Sequence, residues 1–134
     1  MQPARDLSKN GRKNILIVEN DERVLSALEA LVSAEGFGIR TTWSGREALA
    51  LIQSQPFDLV LVDDHLPDIY CGEFVKMASR HSGSIVVMHA GRPLQTSLRR
   101  YKTLGATAVV DKGDTRQLRQ LLAAQSTTPT HLSG

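Results

Sequence analysis

An apolar run, Leu59 to Val62, leads straight into two adjacent carboxylates, Asp63 and Asp64, and Pro67 follows closely. A short run of this kind, rich in Val and bounded by breakers, reads as a strand buried on both faces. Pro67 cannot donate to a sheet ladder, so the strand closes before it. Asp63 then stands at the C-terminal end of a central parallel strand, where open α/β sheets gather their ligand-binding groups. By itself the stretch also reads as an acidic turn, because Asp favours loop starts. The rest of the chain decides between the two.

The same device recurs along the sequence. Ile15–Val18 is a buried apolar run that ends in Glu19, Asn20 and Asp21. Residues 22–35 follow with Val24, Leu25, Leu28, Leu31 and Val32 at helical spacing, with Asp21 as cap and Gly36 as terminator. Gly38–Thr42 is a short second strand. Ser44 with Glu47 forms a capping box for a helix that buries Ala48, Leu49 and Ile52 and stops at Pro56. After the central strand, residues 68–71 read as a loop, and residues 73–81 as a helix with Phe74, Val75 and Met77 inward. Ile85–Met88 is the fourth strand and delivers His89. A fourth helix is predicted over 93–104, with Pro93 in its first turn and Leu94, Leu98, Tyr101 and Leu104 on one apolar face. Ala106–Val110 delivers Asp111 and Lys112, and a last helix from Thr115 packs through Leu118, Leu121 and Leu122.

Five strand–helix units in strict alternation predict an α/β fold: a five-stranded parallel doubly wound sheet, flavodoxin-like in order 2-1-3-4-5, flanked by five helices. The 134 residues suit one domain. Residues 1–13 read as a flexible basic leader, 14–125 as the domain and 126–134 as a disordered tail. No apolar run has membrane-spanning length, and the start lacks the apolar core of a signal peptide. Cys71 is the only cysteine, so no internal disulfide forms and a cytoplasmic setting is expected. The leader carries Arg5, Lys9, Arg12 and Lys13 against Asp6, a balance of +3, which leaves −1 of the total +2 for the body. That near-neutral body gives no reason to expect direct nucleic-acid binding. Arg99, Arg100 and Lys102 read as a solvated face, with docking of an acidic partner as the second reading.

In a doubly wound sheet all strand C-termini lie on one edge, so Glu19, Asn20, Asp21, Asp63, Asp64, His89 and Lys112 converge on one crevice. Clustered oxygen ligands suit a hard cation, and Mg²⁺ takes one or two protein carboxylates while keeping several waters. A lysine opposite is a point charge for a phosphoryl group. Carboxylate, Mg²⁺ and Lys together are the equipment of a phosphoryl acceptor. A transition-metal site of His65, His89, Glu19 and Asp63 is the other coordination reading.

In the segments Ile15–Asp21, Leu59–Pro67 and Gly105–Lys112, which are specific in this order and spacing, the chain resembles the receiver domain of two-component response regulators, over residues 15–125. The resemblance implies that Asp63 accepts a phosphoryl group from a histidine kinase or phosphotransfer protein, and that Lys112 contacts the phosphoryl oxygens. It gives Glu19 the first place of the family's acidic pair and His65 the place that lends a backbone carbonyl to Mg²⁺. Members of this length act alone and signal to a downstream protein through the face of the fourth helix, fifth strand and fifth helix. They are phospho-acceptors with weak self-phosphorylation chemistry rather than enzymes.

The departures make this an atypical member. Asn20 stands where the family's directly Mg²⁺-binding aspartate belongs, which removes one negative charge and weakens Mg²⁺, with Asp21 and Asp64 as possible substitutes. His89 stands in the place of a Thr or Ser that contacts the phosphoryl group, and is expected to fill the vacated pocket and hydrogen-bond Asp63. Val109 replaces the usual switch aromatic, Gly113 a common proline, and the loop before Gly72 is one residue longer. A degenerate receiver that works by phosphorylation-independent interaction is the alternative function. A metal-dependent phosphohydrolase on the same fold is disfavoured because no second catalytic base is visible.

Overall fold

The computed structural model describes residues 5–7 and 13–127. Its elements run β1 (Arg5–Leu7), β2 (Asn14–Val18), α1 (Glu22–Ala34), β3 (Gly38–Thr42), α2 (Gly45–Ser54), β4 (Leu59–Asp63), α3 (Cys71–Ala78), β5 (Ile85–His89), α4 (Gln95–Leu104), β6 (Ala108–Asp111) and α5 (Thr115–Thr127). The sheet order is β1-β3-β2-β4-β5-β6. The five strands from β2 to β6 are mutually parallel in the order anticipated for a flavodoxin-like sheet.

β1 adds a sixth, antiparallel strand at the β3 edge, with Leu7 opposite Ile39 and Arg5 opposite Thr41. It lies within the segment read as a flexible leader, and that reading fails over these three residues. An exposed sheet edge offers unpaired N–H and C=O groups that pair with any extended backbone, whatever its side chains. The other leader residues before Lys13, and the tail beyond Thr127, lie outside the described residues. α5 itself runs two residues past the expected domain end at 125.

Period-two alternation splits the core between the two faces of the sheet. Leu16, Val18, Val60, Val62, Val87 and Val109 pack against residues of α2 and α3. Ile15, Ile17, Leu61, Val86, Met88 and Val110 pack against Leu25, Leu28 and Val32 of α1 and Leu118 and Leu122 of α5. Burial of strands on both faces is what the unbroken apolar runs require.

The cap residues are as read, but the capping box is only half made: Ser44 N donates to Thr42 Oγ1 at 3.1 Å, and the Thr42 hydroxyl donates to Glu47 Oε1. Asp21 Oδ1 accepts from Arg23 N and Val24 N, and Ser44 Oγ accepts from Glu47 N at 3.0 Å. Gly36 and Gly105 adopt positive φ, +89° and +121°, at the ends of α1 and α4. Two helices begin elsewhere than expected. α3 starts at Cys71 and ends at Ala78, so the supposed loop 68–71 is shorter and Met77 is exposed. α4 starts at Gln95, after Pro93 rather than over it; Leu94 is its N-cap and is 70% exposed, not part of the core face. Leu98, Tyr101 and Leu104 do pack against the core, though half-buried. Among the described residues no helix is long and apolar enough to cross a membrane.

Candidate functional site

Three strand ends meet at one crevice. Glu19 follows β2, where its N–H still donates to Thr42 O at 3.1 Å and holds it in the sheet register. Asp63 is the last residue of β4 and is 4% exposed. Lys112 follows β6, its N–H bonded to His89 O at 2.8 Å. The Lys112 ammonium stands 3.0 Å from Asp63 Oδ1 and 3.1 Å from Glu19 Oε1. One cation thus bridges two buried carboxylates carried by different strands.

The electrostatics follow from this geometry. Burial, then the Asp63 charge, pushes the Glu19 carboxyl above its ordinary value, against the Asp21 N–H and Lys112, which lower it. Burial disfavours the Lys112 ammonium, but its hydrogen bonds to Asp63 and Glu19 outweigh that and raise it. Lys112 therefore remains charged, the state needed to hold oxyanions.

The second acidic residue of β4's end behaves differently. Asp64 Oδ1 meets His65 Nδ1 at 3.1 Å, and Oδ2 faces His89 Nε2 at 3.7 Å. His89 Nδ1 is held by Gly91 O at 3.1 Å. The expected His89–Asp63 hydrogen bond is absent: successive side chains at a strand end diverge, so His89 lies with Asp64 and Lys112 with Asp63. The His65 ring is 88% exposed. The mixed site of His65, His89, Glu19 and Asp63 is not formed, because the imidazoles flank Asp64. Among the described residues no three His, Cys, Asp or Glu side chains group as a metal ion would require.

A hard cation asks for less. Glu19, Asp63 and the exposed Asn20 offer only oxygen or amide donors, and one or two carboxylates suffice for Mg²⁺. The donor set fits, with Asn20 its weak member. Asp21 Oδ1 caps α1 and Asp64 faces the two imidazoles.

One contributor was not legible from strand ends. Asp68, in the loop leaving β4, accepts from Ser44 Oγ at 2.7 Å, Gly45 N at 2.9 Å and Arg46 N at 3.0 Å. It clamps the loop that carries His65 onto the N-terminus of α2, where a carboxylate is favoured by the helix dipole. Burial alone would raise the Asp68 carboxyl; the Ser44 hydroxyl and the Arg46 and Gly45 N–H groups hold it below its ordinary value. A Cβ on Gly45 would come within 2.3 Å of Ile69 Cγ2, so the close approach needs glycine. An Asp after Pro67 and a Gly after the Ser44 cap were the available signals. Cys71 is buried and its thiol is pushed up to about 12, mainly by burial, so it is no reactive thiolate.

A doubly wound parallel sheet with Glu19, Asp63 and Lys112 at three strand ends defines a receiver-type signalling module. The chain matches the family model of the response regulator receiver domain over residues 15–123. It belongs to that family, whose members generally bind Mg²⁺ in the acidic crevice and are signalling modules rather than enzymes. It is 30% identical to the polar-differentiation response regulator DivK of Brucella ovis over 108 residues, covering 81% of this chain and 76% of that protein. It is 33% identical over 73 residues to the uncharacterized transcriptional regulatory protein YcbL of Bacillus subtilis, covering 54% of this chain and about a third (32%) of that one. Among solved structures, the CheY-like receiver domain protein from Methanospirillum hungatei superposes with a TM-score of 0.73 at 24% identity, covering 86% of this chain and 97% of that one. A response regulator from Burkholderia pseudomallei, solved with a phosphorylated aspartic acid, calcium ion and citrate, gives 0.73 at 20% identity, covering 87% and 67%.

Proposed function

We propose that this receiver accepts a phosphoryl group on Asp63 from a histidine kinase or phosphotransfer protein and passes the signal on by protein–protein interaction. The observation that carries the reading is the 3.0 Å approach of the Lys112 ammonium to Asp63 Oδ1. An Asp63 oxygen attacks phosphorus, the O–P bond forms, and the P–N bond of the donor phosphohistidine breaks with its electron pair returning to the imidazole. Lys112 sits where it can neutralise the phosphoryl oxygens as a point charge. Glu19 also holds the Lys112 ammonium, at 3.1 Å. Glu19, Asn20, Asp63 and the His65 backbone carbonyl would hold Mg²⁺, which supplies charge neutralisation for the transfer. The output face in this reading is α4, β6 and α5, which enclose a cavity of about 520 Å³ lined by Leu98, Val109 and Gln117 among others. The reading places the chain in the cytoplasm, where it meets its phosphodonor.

A second reading is a module that signals without phosphate. Two features favour it: Asn20 in place of a carboxylate, and a His89 ring anchored to Gly91 O beside the acceptor strand. Intact mass after incubation with acetyl phosphate, with and without Mg²⁺, separates the two. Phosphorylation predicts a Mg²⁺-dependent single phosphoryl addition that Asp63→Asn abolishes. No addition under either condition, with the parent still folded, leaves the second reading.

A further inference from the structure

Charge is segregated along the fold. Residues 13–90 hold six Lys or Arg against eleven Asp or Glu, whereas residues 91–127 hold seven against two. Neither α4 nor α5 has an acidic residue in its first turn, and α4 has no acidic residue at all. Between α3 and α4 lies an open groove of about 520 Å³, lined by Tyr70, Lys76, Thr96, Arg99, Arg100 and Thr103 among others, with Glu73 its one carboxylate. Thr96, Arg99, Arg100 and Thr103 recur at three- and four-residue spacing, which aligns them along one face of α4. The Arg100 guanidinium lies 5.1 Å over the Tyr70 ring and also donates to the Tyr70 hydroxyl, which fixes it at the groove wall. Tyr70 is nevertheless 59% exposed. Among the described residues, Lys76 and Arg99 have no ion-pair partner.

We propose that this α3–α4 groove docks an acidic peptide segment of a protein partner. It uses the side of α4 that faces α3, shares no lining residue with the α4–β6–α5 cavity, and does not depend on phosphorylation of Asp63. The charge complementarity is direct: Lys76 and Arg99, without ion-pair partners among the described residues, and one pre-positioned Arg line the groove, with Thr hydroxyls as further donors to carboxylates. The Tyr70 ring and Leu104 add apolar wall, which suits a polypeptide that mixes acidic with apolar side chains. Glu73 within the wall opposes a uniformly charged phosphate backbone, whereas a peptide can set an uncharged residue there.

The test is fluorescence anisotropy of the full chain with a fluorescein-labelled peptide of alternating Glu and Leu. Saturable binding that weakens with added salt is expected. Lys76→Ala with Arg99→Ala should lower affinity by roughly five- to tenfold, in the range for two exposed ion pairs. Arg116→Ala with Arg119→Ala, on α5 and outside the groove, should leave it unchanged. All four positions are exposed, so the variants keep the fold. Absence of binding, equal weakening by the α5 pair, or tighter binding of an oligonucleotide or of anionic vesicles than of the peptide would each overturn the proposal.

Discussion

His89 Nε2 faces Asp64 Oδ2 at 3.7 Å, while Asp63, one residue earlier, is held by Lys112 at 3.0 Å. Two adjacent carboxylates thus belong to two separate environments. Replacing His89 therefore takes nothing from the Lys112–Asp63 contact, and Asp64 keeps His65 at 3.1 Å.

The first prediction rests on that separation. His89→Thr combined with Asn20→Asp should raise the rate and extent of Asp63 phosphorylation by acetyl phosphate, followed by intact mass. A hydroxyl is smaller than the imidazole that Gly91 O and Asp64 hold at the end of the neighbouring strand β5, so the approach to the crevice opens while the Lys112–Asp63 contact stays intact. Unchanged or lower labelling would make His89 a working part of the site.

Asn20→Asp alone should tighten Mg²⁺, read by isothermal titration. A unit pair at 4 Å and an effective dielectric of 20 is worth about 4 kcal/mol, and a divalent ion doubles it; hydration losses offset most of this, so a gain of about tenfold is expected. Asp21 and Asp64 are the nearby carboxylates that could mask the effect. Equal affinities of the two proteins would show that another group already supplies the charge.

Lys112→Met should destabilise the fold by about 1–3 kcal/mol in urea at pH 7, because Glu19 and Asp63 lose their shared cation while buried. Glu19→Gln in that background should restore part of the loss by removing one of the two charges. The Lys112 pKa is raised in the fold, so its contribution is complete below its ordinary 10.5 and is lost as pH rises through the folded value. A double variant no more stable than Lys112→Met would contradict the bridging role.

Asp68→Ala should cost about 1–2 kcal/mol at neutral pH, as loss of a helix-capping carboxylate does. The folded pKa of Asp68 is lowered, so its contribution is present above its ordinary 3.8 and disappears as pH falls through the folded value. Stability of parent and variant should therefore converge in strong acid. Parallel curves from pH 7 downward would show that the carboxylate charge is irrelevant to the clamp.

Much of this was legible because buried parallel strands write themselves as apolar runs: all five parallel strands, and Glu19, Asp63 and Lys112 at their ends, follow from that rule. What escaped obeys other physics. β1 is recruited by backbone pairing at an edge, which leaves no hydrophobic pattern to read. Leu94 shares the helical spacing of Leu98 and Tyr101, yet it precedes the first turn of α4 and points to solvent. The pairing of His89 with Asp64 rather than Asp63 depends on side-chain direction at the end of β4. The Asp68 clamp joins residues 22 to 24 positions apart, through hydrogen bonds that no local spacing announces.

Lys13 Nζ donates to Gln125 O at 2.7 Å, across a separation of 112 residues. The point where the chain enters the parallel sheet and the last turn of α5 are therefore neighbours. A short linker from Gln125 back to Lys13 would span that gap, and new ends opened at the exposed turn between α3 and β5 would leave every parallel strand and the Lys112 contacts intact. Such a circularly permuted chain should fold. The same proximity lets the whole unit be spliced into a surface loop of a host protein, entering and leaving through adjacent points.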